Sequence, residues 1–123
     1  MKPATPILRV FDEARAREFH ADYLRFRLDW EHRLGLHYPL YMQMSRGGCV
    51  LHLSGHHGDA CPGAAVCVDT PDLDGYCEEL RGRPYRYAYL SRPEESLWGS
   101  WEFPLTDPFD NRLTFFENLP SSS

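Results

Sequence analysis

The sequence has almost no lysine, no long hydrophobic run and no closely spaced cysteine pair. Its 123 residues include 13 lysines and arginines, of which only Lys2 is a lysine, against 18 aspartates and glutamates, and the formal net charge is -5. Proteins that bind nucleic acid gain affinity from a concentrated basic face, whereas these arginines are spread along the chain. We therefore expect no nucleic-acid partner, and an acidic protein attracts cationic small molecules instead.

No apolar run approaches the ~20 residues that a membrane-spanning helix needs. The N-terminal segment becomes polar at Asp12, before the apolar core of a signal peptide could form. We therefore expect a cytoplasmic protein with no membrane partner. The cysteines, Cys49, Cys61, Cys67 and Cys77, include no C-x-x-C pair, so a closed zinc site is not expected. We expect reduced and mostly buried thiols.

The first half of the chain has the pattern of a strand, a helix and three further strands. Apolar residues at spacings of three and four predict the helix, Asp12 is a suitable residue to cap it, and two-residue alternation predicts the strand that follows. A glycine-containing turn at 46–48 is typical of a hairpin. The predicted elements are a strand over 7–11, a helix over 13–26, and strands over 28–32, 40–45 and 49–54.

The second half repeats this order after a connector rich in glycine. Thr70-Pro71-Asp72 begins a helix, with the proline placed just inside its first turn, and Gly82 ends it. The apolar face of this helix is predicted to contain Leu73, Tyr76, Cys77 and Leu80, and strands are predicted over 64–68, 85–89, 101–106 and 113–117. An internal duplication decides the architecture. We predict an α+β fold of two β-α-β-β-β modules in one structural domain, 1–55 and 64–120, with a linker over 56–63 and a disordered tail over 121–123.

Four segments of this duplicated chain resemble a known superfamily. They are DWEH, LYMQMSRGGCVLHLSGHHGD, LWGSWEF and DPFDNRLTFFE. The chain is similar to the vicinal oxygen chelate superfamily, which includes glyoxalase I, extradiol dioxygenases and bleomycin-resistance proteins, and it is most similar to the bleomycin-resistance branch. Trp98-Gly99, Glu102-Phe103, Asp107-Pro108 and Asn111 closely match that branch's W-G…E-F…D-P-x-G-N pattern. Asp110 replaces the glycine of the pattern, and aspartate tolerates left-handed backbone better than most residues.

The resemblance implies an open, curled mixed sheet with helices on its convex face and the site on its concave face. Metal-dependent relatives place histidine or glutamate ligands on the first, fourth, fifth and eighth strands. The matching positions here are Thr5, His52, Gly63 or Ala64, and Thr114. Only His52 could bind a metal strongly, and Glu117 is predicted to face the other way. We therefore expect no metal, no cofactor and no catalytic residue. His56, His57, Asp59 and Cys61 have no recognised ligand spacing and are interpreted as linker.

The aromatic side chains are the more informative candidates, because flat walls stack on a planar ligand. Trp98 coincides with the family motif, and Trp98→Ala is predicted to weaken ligand binding by ~1–3 kcal/mol. For the others, core packing or a dimer interface is an equally open interpretation. The predicted ligand-binding residues are Trp98, Trp101, Trp30, His32, Tyr41, His52, Tyr87, Arg9 and Arg112. Neighbouring carboxylates favour a cationic ligand, whereas Arg9 and Arg112 favour an anionic or carbonyl-bearing one, and both remain open.

The resemblance implies a homodimer that exchanges its N-terminal strand and binds a bleomycin-like or other planar aromatic peptide antibiotic without transforming it. Such a protein lowers the free drug concentration by burying the planar part of the drug. Two alternatives remain open. One is a metal-dependent lyase, isomerase or dioxygenase with rearranged ligands, and the other is an accessory binding protein in natural-product biosynthesis.

Overall fold

Two consecutive modules make up the chain, which is described here by a computed structural model covering residues 1–33, 35–83, 85 and 90–119. The first module contains β1 (Ile7–Arg9), α1 (Glu13–Arg17, continued as a π-helix over Glu18–Tyr23), β2 (Arg27–His32), β3 (Tyr41–Arg46) and β4 (Cys49–Ser54). The second contains β5 (Ala65–Asp69), α2 (Leu73–Arg81), β6 (Glu94–Glu95), β7 (Ser100–Thr106) and β8 (Arg112–Asn118).

Each module contributes one four-stranded mixed sheet, and the two sheets have the same topology. Their strand orders are β1-β4-β3-β2 and β5-β8-β7-β6. In each sheet the first strand lies parallel to the last strand of its module, and the remaining neighbours are antiparallel. The helix between the first two strands supplies the crossover that a parallel pair requires. The predicted α+β fold of duplicated modules is therefore confirmed.

Aspartates begin both helices. The Asp12 carboxylate accepts a hydrogen bond from the Arg15 amide at 3.1 Å, as predicted for a cap. Asp72 plays the same role for α2, and it does so in left-handed backbone with φ at 54°. The prediction for Pro71 is wrong, because this proline precedes the capping residue Asp72 instead of lying inside the first turn. Gly82 ends α2 as predicted.

A single apolar core joins the two modules. It combines both helices with the inward-facing residues of both sheets, among them Phe19, Leu24, Met42, Met44, Leu51, Leu53, Leu73, Leu80, Phe103, Leu113 and Phe115. Polar contacts also cross between the modules. The Tyr76 hydroxyl donates to the Leu24 carbonyl at 2.9 Å, and Arg46 of β3 pairs with Glu79 of α2 at 3.1 Å. The four apolar residues predicted for α2 are all buried, which confirms that face.

Several predicted boundaries differ from the structure. The first helix ends at Tyr23 instead of residue 26, because Arg25 adopts a φ of 63°. Residues 86–89 of the predicted strand 85–89 lie outside the described residues, and the strand found before β7 is the two-residue β6. The expectation of mostly buried thiols is also wrong. All four cysteines are free, but only Cys77 is buried, while Cys61 and Cys67 are exposed. Among the described residues, no helix is long and apolar enough to span a membrane.

Candidate functional site

Each sheet has one face covered by the core and one face left open. In the first sheet, Met42 and Met44 of β3 and Leu51 and Leu53 of β4 are completely buried. Since side chains alternate along a strand, their neighbours point to the opposite side. We call this side the first open face, and it carries Ile7, Arg9, Trp30, His32, Tyr41, Gln43 and His52.

Three rings form a cluster on the first open face. The Trp30 and Tyr41 rings are nearly parallel, with an interplanar angle of 12° and centroids 6.0 Å apart. The His52 ring meets both edge-on, at 5.4 Å from Trp30 and 5.2 Å from Tyr41. Trp30 remains 42% exposed. The cluster therefore holds one large flat ring in place while leaving much of its surface accessible to a ligand.

A chain of hydrogen bonds connects the Tyr41 and His52 rings to neighbouring side chains. The Tyr41 hydroxyl lies 2.7 Å from His52 Nδ1, and His52 Nε2 lies 2.9 Å from Gln43 Oε1. Gln43 Nε2 donates to Asp29 Oδ2 at 3.1 Å, and Arg27 Nε donates to Asp29 Oδ1 at 2.9 Å. This chain restricts the His52 ring to one orientation, because each of its two nitrogens has a partner.

The charges along the chain follow from its surroundings. Hydrogen bonds from Ser45, then from Gln43, lower the pKa of the Asp29 carboxyl, and Arg27 adds to this effect. Asp29 is therefore ionised at neutral pH and acts only as an acceptor. Burial raises the pKa of the Tyr41 hydroxyl, and the charge of Asp59 raises it further. Tyr41 therefore keeps its proton.

The second open face differs in character. It surrounds a cavity of about 570 Å³ whose lining residues are Cys67, Trp98, Ser100, Glu102, Pro104, Arg112, Thr114, Phe116 and Asn118. Trp98 is 77% exposed. It projects from a tight turn in which the Ser96 and Ser100 hydroxyls lie 2.7 Å apart and Gly99 has a φ of 85°. This face therefore presents one projecting ring above a mixed polar and apolar floor.

The structure brings together some of the predicted ligand-binding residues and separates others. Trp30, His32, Tyr41, His52 and Arg9 share the first open face, and Trp98 and Arg112 share the second. The Arg9 guanidinium lies over the Phe11 ring at 4.9 Å, and its buried Nε has no hydrogen-bond partner among the described residues.

Trp101 lies on the helix side of its sheet, away from both open faces. Its indole Nε1 donates to the Asp74 carboxylate of α2 at 2.7 Å. Its neighbours in β7 that line the cavity, Ser100 and Glu102, point the opposite way. Tyr87 lies outside the described residues. The ligand-binding roles of Tyr87 and Trp101 stay predictions. Trp101, however, belongs to neither of the two open faces.

The predicted ligand-binding residues include neither Gln43 nor Asp29, which was expected only as one of the neighbouring carboxylates. Gln43 could have been found, since it alternates with Tyr41 in a strand whose intervening residues, Met42 and Met44, are buried. Asp29 could not have been found in this way, because simple alternation places its side chain on the other face of β2 from Trp30. A register shift between Leu28 and Trp30 turns it toward Gln43.

The residues present do not fit a metal ion. Both ring nitrogens of His52 are already engaged by Tyr41 and Gln43. Thr114 faces the second cavity, and Glu117 turns away from it, where its carboxylate accepts from the Asp72 and Leu73 amides at the start of α2. Within the described part of the chain, no three histidine, cysteine, aspartate or glutamate side chains group together as a ligand set.

A larger cleft, of about 770 Å³, lies between the β3–β4 hairpin and β5. Its floor is made by Phe26, Tyr76 and Phe115, whose rings belong to or border the core. The one guanidinium on its wall, Arg46, is already paired with Glu79. The cleft is therefore mainly apolar, and it lacks the open aromatic surface and polar partners of the first open face.

Comparison with known proteins places this geometry in a family. The sequence model described as glyoxalase superfamily protein matches residues 1–121, whereas no curated protein matches the sequence. The bleomycin-binding protein of bleomycin-producing Streptomyces verticillus, complexed with copper(II)-bleomycin, is similar at 27% identity, with a TM-score of 0.69 and 98% of each chain covered.

Two further solved structures have the same fold at lower identity. A bleomycin-binding protein complexed with bleomycin has 21% identity and a TM-score of 0.75, covering 97% of this chain and all of its own. TnmS3, an antibiotic-binding protein from Streptomyces sp. CB03234, also has 21% identity and a TM-score of 0.75, covering 94% of this chain and 93% of its own. With the family model spanning nearly the whole chain, this protein belongs to the glyoxalase superfamily.

Proposed function

We propose that this protein binds a planar aromatic antibiotic of the bleomycin kind and sequesters it without chemical change. The observation that carries the proposal is the ring cluster of the first open face, where a fixed and accessible tryptophan offers a stacking surface. Aromatic stacking of this kind contributes ~0.5–1.5 kcal/mol per good pair beyond burial. Proteins of the same fold that bind bleomycin and other antibiotics support the choice of ligand class.

Among the described residues, the lack of a suitable set of metal ligands supports binding over metal-dependent catalysis. The family's metal chemistry needs several converging ligands, and His52 is held by two hydrogen bonds to neighbouring side chains. Within the described ranges, no three histidine, cysteine, aspartate or glutamate side chains group together as a ligand set. A binder of this kind protects stoichiometrically, so its dissociation constant must lie below the toxic drug concentration.

A homodimer and a cytoplasmic location belong to the same proposal. Ile7, Trp30, Leu97 and Trp98 expose large apolar side chains on or beside the two open faces. Exposed apolar surface of this kind marks interaction sites, and a second copy would close the open faces into grooves. Pro3 and Pro6 would stiffen an exchanged N-terminal arm. Sedimentation at several concentrations tests the dimer, since a monomer throughout would contradict it.

Calorimetric titration with bleomycin and with copper(II)-bleomycin tests the binding function. We expect saturable heat with about one drug molecule per groove. Mass spectrometry of the drug recovered after long incubation should show an unchanged mass, because the protein only binds it. The absence of saturable heat with either form would contradict antibiotic binding, and a chemically altered drug would contradict sequestration and favour an enzyme.

A further inference from the structure

In the hydrogen-bond chain of the first open face, Asp29 determines which atom donates and which accepts at each bond. An ionised carboxylate only accepts hydrogen bonds, and Asp29 receives them from Arg27 Nε at one oxygen and from the Gln43 amide at the other. The nitrogen of the Gln43 amide must therefore point toward Asp29. Its oxygen is then left on the side of His52, 2.9 Å from Nε2.

The tautomer of His52 follows from this orientation of Gln43. Because Gln43 Oε1 is an acceptor, His52 Nε2 must carry a proton and donate it. In the neutral imidazole the other nitrogen, Nδ1, then has only a lone pair. The Tyr41 hydroxyl, 2.7 Å from Nδ1, supplies the proton for that bond.

The end of the chain is the Tyr41 oxygen, whose only proton is already committed to His52. Its remaining capacity is two lone pairs, and these can only accept. A ligand carbonyl or ether oxygen placed there could not form a hydrogen bond with the Tyr41 oxygen, because both atoms only accept. Both would lose contact with water without a replacement partner, which weakens binding. An N–H or O–H placed there would complete the chain.

We propose that the ligand of the first open face is an aromatic molecule that presents an N–H or O–H donor to the Tyr41 oxygen while its flat ring lies against Trp30. This inference rests on the proposed function and adds that the ligand group at Tyr41 is a hydrogen-bond donor. At the Tyr41 oxygen it favours neutral or cationic donors and disfavours groups that only accept hydrogen bonds.

The local charge supports the same class. Asp59 lies close enough for its negative charge to raise the pKa of the Tyr41 hydroxyl, and its carboxylate is held in place by the Ser54 hydroxyl at 2.7 Å. A negative potential at Tyr41 attracts a protonated amine and repels an anion. Among donors, cationic amines are therefore favoured over neutral ones.

Indole and benzofuran provide a matched pair of probes. The two molecules have nearly the same size and flatness, but indole carries an N–H where benzofuran carries an ether oxygen. Each is titrated separately into the protein, and binding is followed by NMR at the Trp30 side chain and at His52. We expect indole to bind about fivefold more tightly, the effect of one additional hydrogen bond. Equal affinities, or tighter binding of benzofuran, would overturn the proposal.

Two variants connect this preference to the hydrogen-bond chain. Tyr41→Phe removes the acceptor, so the two probes should bind equally. Asp29→Asn keeps the shape, but an asparagine amide donates as well as accepts, which allows the chain to run in either direction. The preference for indole should therefore shrink. Tyr76→Phe serves as the matched control, because it removes a hydroxyl that bonds to Leu24 in the core, and it should keep the preference. An undiminished preference in Tyr41→Phe would also overturn the proposal.

A long-range ¹H–¹⁵N spectrum tests the direction of the chain without any probe. The neutral His52 imidazole should show a protonated Nε2 and an unprotonated Nδ1, and the reverse tautomer would overturn the proposal. Titration with bleomycin distinguishes failure of the donor proposal from failure of the proposed antibiotic-binding function. If bleomycin binds but neither probe does, the donor proposal fails and the proposed function stands. If none of the three binds, both fail.

Discussion

The two open faces share one topology but carry different side chains. In the first module the Val10 amide donates to the Ser54 carbonyl, and in the second the Thr70 amide donates to the Phe116 carbonyl. These bonds mark equivalent points in the two parallel strand pairs. His52 and Thr114 each lie two residues before the accepting carbonyl, so they occupy equivalent positions. One face therefore has an imidazole where the other has a hydroxyl.

The residues around these two positions also differ between the faces. Around His52, two further rings and a hydrogen-bond chain are fixed in position. Around Thr114 the face has a cavity, and its large ring, Trp98, projects alone from the turn before β7. The duplicated scaffold thus determines where side chains are placed, and their chemistry determines which ligands each face could bind.

The largest expected effect comes from breaking the junction between the two modules. Asn111 is completely buried, and its Nδ2 donates to the Arg9 carbonyl of β1 at 2.8 Å and to Asp107 at 2.9 Å, while its Oδ1 accepts from the Ala64 amide. Asn111→Ala leaves these groups without partners. We expect a loss of about 2–4 kcal/mol in the free energy of unfolding, measured by denaturant titration.

Asp110→Gly in the same turn is the control. Asp110 has a φ of 66°, confirming the left-handed backbone predicted for it, and glycine adopts that conformation without strain. The unfolding free energy should change by less than about 1 kcal/mol. If Asn111→Ala proved as mild as this control, the modules would be held together without this junction.

Alanine at Trp30 and at Trp98 compares the two faces directly. Each substitution is expected to weaken bleomycin binding by about 1–3 kcal/mol. The larger loss is expected for Trp30, because its ring is held by Tyr41 and His52 and loses less freedom when a ligand binds. Calorimetry measures both affinities. A larger loss for Trp98 would show that the second face contributes the main stacking surface.

A smaller effect is expected at Glu79, whose ion pair with Arg46 joins the two modules. Glu79 of α2 accepts hydrogen bonds from Arg46 of β3 and from Arg83, and these lower the pKa of its carboxyl. The stabilisation is therefore present above the ordinary glutamate pKa and is lost as the pH falls through the lowered value. Since Glu79 is about one-third exposed, Glu79→Gln should cost less than about 1 kcal/mol at pH 7.

Denaturant titration of both proteins at pH 7 and near pH 3 checks this dependence. The difference in unfolding free energy between wild type and Glu79→Gln should shrink as the pH falls, because the wild-type carboxyl then becomes protonated. A difference that stays the same at both pH values would show that the glutamine acts through packing instead of through charge.

The fold was predictable from sequence because its signals are local and repeated. The strands of the first hairpin and the buried face of α2 follow from alternation and helical spacing, and the D-P-x-x-N turn was recognised through its resemblance to the family. The early end of α1 was not predictable, because nothing marks Arg25 as a residue with positive φ. The π-helix over Glu18–Tyr23 was not predictable from the sequence either.

The site was predictable only in part. The aromatic side chains and His52 were found because their residue types are distinctive, but their partners depend on register. Trp101 illustrates the limit, since its position next to the motif tryptophan gave no indication of which side of β7 it occupies. Asp29 reaches Gln43 only because β2 changes register against β3. Contacts of this kind depend on the three-dimensional structure, and sequence spacing alone does not predict them.

The smallest expected effect is that of Trp101→Phe, which also sharpens the comparison of the two faces. The chain has three tryptophans, and Trp101 bonds to Asp74 on the helix side. Phenylalanine removes that hydrogen bond, for a loss of about 0.5–1 kcal/mol in unfolding free energy, and leaves bleomycin affinity unchanged. The fluorescence of the variant comes from Trp30 and Trp98 alone, so bleomycin should quench a larger fraction of it than in wild type. A weakened affinity would instead place Trp101 at the ligand and would contradict its assignment to the helix side.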